Sequence, residues 1–364
     1  MMTKRKRVGI LTGGGDCPGI NAVIRAVVKK VINEQNMEVV GFKDGYHGLV
    51  QNRHRKLTYK DVSGILTLGG TILGTSKIAN PYRYAVKNGN KFDFKDMSGT
   101  VVKNFRKLKL DCLVCIGGDG SLGIASRLFE DGIPVVGVPK TIDNDIRGTE
   151  LTFGFDSAVT IATEAVDRLH TTAQSHHRVM ILEVMGHNAG WIALHSGIAG
   201  GGDIILIPEI PYDIGMIAKR VKERNKKGKR FSIVVVSEGA KPIGGDVVIK
   251  RMVEASADSV RLGGIGFVLG SQIEEATGLE TRAVVLGHLQ RGGSPTAFDR
   301  VFATQLGSST GDMIEKREFG CMVGFEKGRF VKVLLKNVAK GSRTIPEGHP
   351  LIKTARAVGT SFGD

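Results

Sequence analysis

The chain has 364 residues, 41% of them hydrophobic, and a formal net charge of +15. That length suits two domains with sizeable cores, and the composition excludes disordered, collagenous and coiled-coil classes. The charge surplus points to an anionic partner, and the 50 aperiodic glycines, roughly double the usual share, mark backbone-lined loops rather than a fibre.

The basic Met1–Arg7 stretch is followed only by the short run Val8–Leu11 before Gly13-Gly14-Gly15, so it lacks the apolar segment of a secretion signal. Arg7–Thr12 reads as a strand, Gly13–Gly19 as a glycine turn, and Ile20, Val23, Ile24, Val27, Val28 and Val31 as one face of a helix. Met37–Phe42 is the next strand, and Cys112–Ile116 another, followed by the turn Gly117–Ser121 and a helix over Leu122–Glu130. Cys112 and Cys115 stand three residues apart on that strand, about 10 Å apart and on opposite faces, so they are core thiols rather than a disulfide. Pro134–Val138 is a strand, Pro139–Arg147 a polar loop, and Phe155, Val159, Ala162, Val166 and Leu169 mark a helix. Further strands fall at Val179–Val184, Ile204–Ile207, Ile233–Val236 and Ala283–Leu286. Strands alternating with helices predict an α/β fold of doubly wound domains with mainly parallel sheets, divided near residue 150. No apolar run approaches the roughly 18 residues of a membrane span. A soluble, cytoplasmic protein is expected, and its four cysteines fit a reducing compartment.

Ligands of such folds bind beyond the carboxyl ends of the strands, so the loops carry the chemistry. Gly13–Gly19 and Gly117–Ser121 are phosphate-sized turns in which bare backbone N–H groups can meet an anion at a helix N-terminus. The first also reads as a tight strand-to-helix turn, and Asp119 and Ser121 in the second also read as helix caps. Asp119 could equally hold Mg²⁺. Pro139–Asp145 sets Asp143 and Asp145 two residues apart, where one could accept a hydroxyl proton and the other steer a metal while Lys140 neutralises phosphate; it also reads as an ordinary Asx-rich turn. In the second half the polar candidates are scattered over Arg178, Met185-Gly186-His187, Glu238, Arg282 and Gly287–Gly293. Their Arg and His could clamp a sugar phosphate, while singly each Arg also reads as a surface salt-bridge partner and each His as a satisfied core or surface residue. The histidine spacings do not suit zinc. Basic residues are dispersed, Tyr and Trp number only 5 and 1, and no nucleic-acid motif stands out, so a phosphorylated metabolite is favoured over nucleic acid.

Taken together, Leu11–Asn21, Gly117–Ser121, Pro139–Asp145, Glu183–Gly186 and Leu286–Pro295, in that order, resemble the 6-phosphofructokinase family over roughly residues 7 to 325. The resemblance implies two doubly wound domains: 1–154 plus about 290–345 for the phosphoryl donor, and 155–289 plus the C-terminal segment for the sugar phosphate. It implies transfer of the γ-phosphoryl group of ATP to O1 of fructose 6-phosphate, with Asp143 as base, Mg²⁺ at Asp119 and Asp145 assisting electrostatically. The donor would lie on Gly14, Gly15, Lys77, Ile78, Gly118, Asp119, Gly120 and Ser121. The sugar phosphate would meet Thr141, Ile142, Asp143, Met185, Gly186, His187, Glu238, His288 and Arg291, with Arg178 and Arg282 coming from a neighbouring subunit of a homotetramer or dimer. His187 and Lys77 replace arginines of the common bacterial pattern. Gly120 goes with ATP and Lys140 with pyrophosphate, so ATP is expected as donor, with pyrophosphate the alternative. Arg25, Lys29 and His170 stand at the family's effector positions, leaving allosteric regulation open. A nicotinamide-nucleotide kinase would share the second glycine turn but not the Thr141–Asp145 and Gly287–Pro295 loops.

Overall fold

The computed structural model describes residues 5–89, 91–252 and 260–364. Its strands, in chain order, are β1 (Arg7–Thr12), β2 (Glu38–Phe42), β3 (His54–Leu57), β4 (Ala79–Asn80), β5 (Arg83–Asn88), β6 (Lys91–Lys95), β7 (Cys112–Gly117), β8 (Val135–Pro139), β9 (Val179–Val184), β10 (Ile204–Leu206), β11 (Ser232–Ser237), β12 (Ile249–Met252), β13 (Val260–Leu262), β14 (Thr281–Val285), β15 (Cys321–Glu326) and β16 (Arg329–Leu334). The helices are α1 (Ile20–Gln35), α2 (Tyr46–Gln51), α3 (Ser98–Lys107), α4 (Asp119–Glu130), α5 (Phe155–His176), α6 (Trp191–Ala199), α7 (Ile214–Lys226), α8 (Ile265–Thr277), α9 (Ala297–Glu315), α10 (Leu335–Val338) and α11 (Pro350–Ala357).

One sheet runs β16-β15-β8-β7-β1-β2-β3, parallel through its centre with an antiparallel strand at each edge. A second, β10-β11-β9-β14, is wholly parallel. Every predicted strand appears within a residue or two of its expected bounds. The continuous apolar runs are explained by burial on both faces. In β7, Cys112, Val114 and Ile116 face the large core that spans the two sheets, while Leu113 and Cys115 face the layer of α3 and α4. In β9 and β11 the same alternation puts Met180, Leu182, Ile233 and Val235 into the large core, and Val179, Ile181, Val234 and Val236 against α7 and α8. All four cysteines are free and buried.

The chain crosses back from one sheet to the other at its end. After β16 it lays Ser342 antiparallel beside Ile146, and Ser361 then pairs with Ile204 at the edge of the second sheet. No helix among the described residues is long and apolar enough to cross a membrane.

Candidate active site

The carboxyl ends of β1, β7 and β8 deliver Gly13–Gly15, Gly118–Ser121 and Lys140–Asp145, and those of β9, β11 and β14 deliver Met185–Asn188, Glu238 and Gly287–Arg291. Between these loop sets opens a cleft of about 480 Å³. Its lining includes the sequence-predicted Gly14, Gly15, Lys77, Gly118, Asp119, Gly120, Ser121, Lys140, Thr141, Asp143, Asp145, His187 and Arg291.

On one wall the two glycine loops pack together. Gly14 takes a positive φ of 78°, where a side chain would be strained. Its carbonyl accepts from Thr75 Oγ1 at 2.6 Å and its N–H donates to Ser76 O at 3.3 Å. A Cβ on Gly15 would lie 2.9 Å from Arg291 Nη1 and 3.1 Å from Lys77 Cε, so the bare backbone lets two cations close over the loop. Asp119, Gly120 and Ser121, which the sequence presents as a turn, form the first turn of α4. Their N–H groups and the positive end of the helix dipole therefore face the cleft. Tyr46 Oη donates to Ser121 O at 2.7 Å, fixing that turn from α2. Lys140 is 3% exposed and donates to the Gly15 carbonyl. Burial lowers its pKa, and the charges of Arg291 and Lys77 push the same way.

On the floor lie the carboxylates Asp143 and Asp145, within electrostatic reach of Asp119 on the wall. Asp143 Oδ1 is buried without a hydrogen-bond partner among the described residues. Burial raises its pKa, while the charges of Arg291, Lys140 and His187 oppose the rise. Asp145 is pushed up to about 7 by burial and by the charges of Asp143 and Asp119. Their loop is tied down locally: Asp143 N–H donates to Thr141 Oγ1 at 3.1 Å, and Thr152 Oγ1 to Thr141 O at 2.8 Å. The described residues hold no cluster of three metal-ligating side chains. An exposed carboxylate at Asp119 with Asp145 nearby nonetheless suits Mg²⁺, which takes one or two protein carboxylates and completes its shell with phosphate oxygens and water.

The opposite side of the cleft is built from the loops after β9, β11 and β14. Gly186, at φ 138°, would meet Ser237 and Ala189 with any side chain, and its carbonyl accepts from Ser237 Oγ at 2.7 Å. Glu238, at the end of β11, is pushed up to about 7 by burial and by the charges of Asp143 and Glu183. The fully buried Gln290 accepts from Met185 N–H at 3.3 Å, joining the loops after β9 and β14. Glu183 caps α8 from beneath, accepting from Gly264 N–H at 2.9 Å and Gly266 N–H at 2.8 Å.

Several sequence-singled residues stand apart from the lining. Ile142 is wholly buried in the core below the loop, and Ile78 is 46% exposed away from it. Met185, Gly186, Glu238 and His288 are not among the lining residues, His288 having its pKa lowered by partial burial and by the charges of Arg291 and Lys77. Arg178 and Arg282 lie at the amino ends of β9 and β14, the ends away from the cleft, where both pair with Glu280. Lys29 lies 4.0 Å over the Tyr59 ring and His170 is 2.6 Å from Gly200 O, each engaged with a residue outside its own helix. Sequence reasoning missed Tyr46, Ser76, Ala79, Asn80, Ile124 and Asn188. The position of Tyr46 just beyond the carboxyl end of β2 was the available signal; Ser76 to Asn80 lie in a stretch without periodicity.

A family model described as Phosphofructokinase matches residues 7–314. The chain is 51% identical, over the full length of both proteins, to "ATP-dependent 6-phosphofructokinase 2" of Clostridium perfringens. It is also 49% identical, over 93% of its length and 96% of the relative's, to "Pyrophosphate--fructose 6-phosphate 1-phosphotransferase" of Amycolatopsis mediterranei. Among solved structures, Pichia pastoris phosphofructokinase in the T-state superposes with a TM-score of 0.79 at 30% identity, covering 93% of this chain, which spans 36% of the Pichia chain. Two parallel sheets that aim phosphate-sized loops and three carboxylates into one cleft are thus joined by a full-length sequence match, and the chain belongs to the phosphofructokinase family.

Proposed function

We propose that the protein transfers the γ-phosphoryl group of ATP to O1 of fructose 6-phosphate, giving fructose 1,6-bisphosphate and ADP. The observation that carries the mechanism is Asp143 Oδ1, buried and unpartnered on the floor of the cleft with Lys140, His187 and Arg291 around it. That oxygen accepts the O1 proton as O1 bonds to the γ-phosphorus and the bridging bond to ADP breaks. A base whose pKa is raised by burial is better matched to an alcohol than an ordinary carboxylate. Lys140, Arg291, Lys77 and the N-terminus of α4 neutralise and align the phosphates, which is most of what phosphoryl transfer asks of a protein. Mg²⁺ held at Asp119 would supply further charge neutralisation on the donor phosphates.

Gly120 supports ATP as the donor, since the space beyond it is open, whereas Lys140 is occupied with the Gly15 carbonyl. Pyrophosphate is the alternative donor, favoured by the Amycolatopsis relative. On this reading the first sheet with its β15–β16 hairpin binds the donor, and the second binds the sugar phosphate through Met185, Gly186, His187, Glu238, His288 and Arg291, joined by Thr141 from the loop after β8. Arg178 and Arg282 face away from the cleft of their own chain, which supports a homo-oligomer in which they complete a neighbour's site. A cytoplasmic setting fits the four free thiols.

Asp143→Asn tests the role of the base. It is expected to cut kcat by about 10³-fold, within the range of general-base contributions, while fructose 6-phosphate still binds by calorimetry. Turnover within a few-fold of the parent would overturn the assignment.

A further inference from the structure

The segment Ser342–Ile345 lies beyond the residues matched by the family model, which end at 314. It runs over the loop that carries Asp143 and Asp145 on the way from the first sheet to the second. Asn144, between the two carboxylates, holds a left-handed backbone at φ 51°, a strained conformation for a residue with a side chain. Arg343 engages this turn at three points. Its backbone N–H donates to Asp145 O at 2.6 Å, and its Nη2 donates to Asn144 O at 2.7 Å and to Glu150 O at 3.0 Å. Asn144 Nδ2 reaches the same Glu150 carbonyl at 3.2 Å, so the loop is closed on itself around the guanidinium.

The other side of Arg343 meets the sugar-side lobe. Its guanidinium lies 4.3 Å from the Trp191 ring, and Trp191 Nε1–H donates to Arg343 O at 3.2 Å. Next to it Ser342 Oγ accepts from Asn188 Nδ2 at 3.3 Å, and Ile345 N–H donates to Glu209 Oε1 at 2.9 Å. The same Glu209 carboxylate accepts from Gly190 N–H at the start of α6. The chain thus fastens the carboxylate loop of one lobe to the His187–Trp191 loop of the other.

We infer that Arg343 is a positioning residue for phosphoryl transfer: its guanidinium holds the strained Asn144 turn, and with it the separation of Asp143 and Asp145, and fixes that turn against the loop bearing His187. This rests on the proposed kinase reading. A single Nη2 group donates to both Asn144 O and Glu150 O while the planar guanidinium lies over the indole, an arrangement that the flexible point charge of a lysine reproduces less well. A displacement of about 1 Å at reacting groups costs on the order of 10²-fold in rate.

The test uses the full-length protein and the variants Arg343→Ala, Arg343→Lys and, as a control on general loosening of the C-terminal segment, Arg356→Ala, which loses the pair with Asp364 and the contact with the Phe362 ring, both within that segment. Trp191 is the only tryptophan, so its emission reports directly on the contact with Arg343. The inference predicts that R343A and R343K lose about 10- to 100-fold in kcat with KM for ATP and fructose 6-phosphate within about 3-fold. It also predicts a shifted tryptophan emission in both variants, partial recovery of R343A kcat by millimolar guanidinium, and parental kcat and emission in R356A. If R343A fails to fold, R343K decides. Parental kcat in R343K, or equal kcat losses in R343A and R356A that track melting temperature, would overturn it. Absence of turnover in the parent protein would overturn the kinase reading instead, a result distinct from a parent that is active and insensitive to Arg343.

Discussion

A Cβ built on Gly120 meets nothing within 4 Å, so a side chain there would project into the donor end of the cleft beside Asp119. Gly120→Asp should place a second carboxylate against the donor phosphates, and like charges about 4 Å apart repel by several kcal/mol at protein-surface dielectric. The expected outcome is a rise of 10-fold or more in KM for ATP, with little change in KM for fructose 6-phosphate. Unchanged ATP kinetics would remove volume and charge at this position as determinants of donor choice. At Glu238 the signature is pH. Its carboxyl is raised to about 7 in the folded protein, so it holds its proton more tightly there than in the unfolded chain. Ionising it therefore costs stability as pH rises from the ordinary carboxylate range to about 7, and the cost is constant above that. Glu238→Gln should melt higher than the parent above pH 7, with the difference vanishing toward pH 4. A difference independent of pH would place the stabilisation elsewhere than in this charge. The type and order of these polar residues were legible in the sequence, because each follows a strand. Burial was not: the solitary environment of Asp143 Oδ1 and the engagement of Lys140 with a carbonyl depend on segments far apart in the chain.

Among the elements, α5 shows how long-range capping escapes a sequence reading. Its start after Gly154 was legible from the apolar spacing, but its N-terminus is capped by Asp299 of α9, a residue with 0% exposure. Asp299 accepts from Gly154 N–H at 2.9 Å, Ser157 N–H at 2.8 Å and Ser157 Oγ at 2.6 Å. Asp299→Ala should cost about 2–4 kcal/mol, since it strands buried donors and removes a charged cap, read as a lower urea midpoint at fixed protein concentration. A loss below about 0.5 kcal/mol would mean that solvent or a neighbouring group satisfies those donors. The β15–β16 hairpin was missed although a signal existed. Lys327-Gly328 take φ 49° and 77°, both positive, as a tight hairpin turn requires, and alternating residues flank them. The β4–β6 sheet was missed because it meets the core only through Ala79, Tyr84 and Val86 of its first two strands, while Phe92 and Phe94 of Lys91–Lys95 stay 40% and 38% exposed, so burial left no strong imprint.

For the whole molecule, the two mainly parallel sheets create the cleft, and the proposed oligomer is tested through the residues that face away from it. Arg178 and Arg282, paired with Glu280 at the far ends of β9 and β14, should complete a neighbour's sugar-phosphate site. Subunits carrying Arg282→Ala and subunits carrying Asp143→Asn, each inactive alone, should regain activity when refolded together, because some hybrid sites then have both groups. A mixture no more active than its parts would confine the site to one chain. The parallel α/β architecture and the polarity of its loops were legible from strand–helix alternation. The C-terminal crossover was not, because its hold on the carboxylate loop rests on one arginine and on backbone groups that carry no pattern. The most direct measurement is fructose 1,6-bisphosphate formation by the purified protein with Mg²⁺ and fructose 6-phosphate, comparing ATP with pyrophosphate. Turnover with ATP and little with pyrophosphate is the expected result. Turnover with pyrophosphate alone would contradict the donor assignment and reverse the weights given to Gly120 and Lys140, and turnover with neither would contradict the phosphoryl-transfer reading of the cleft.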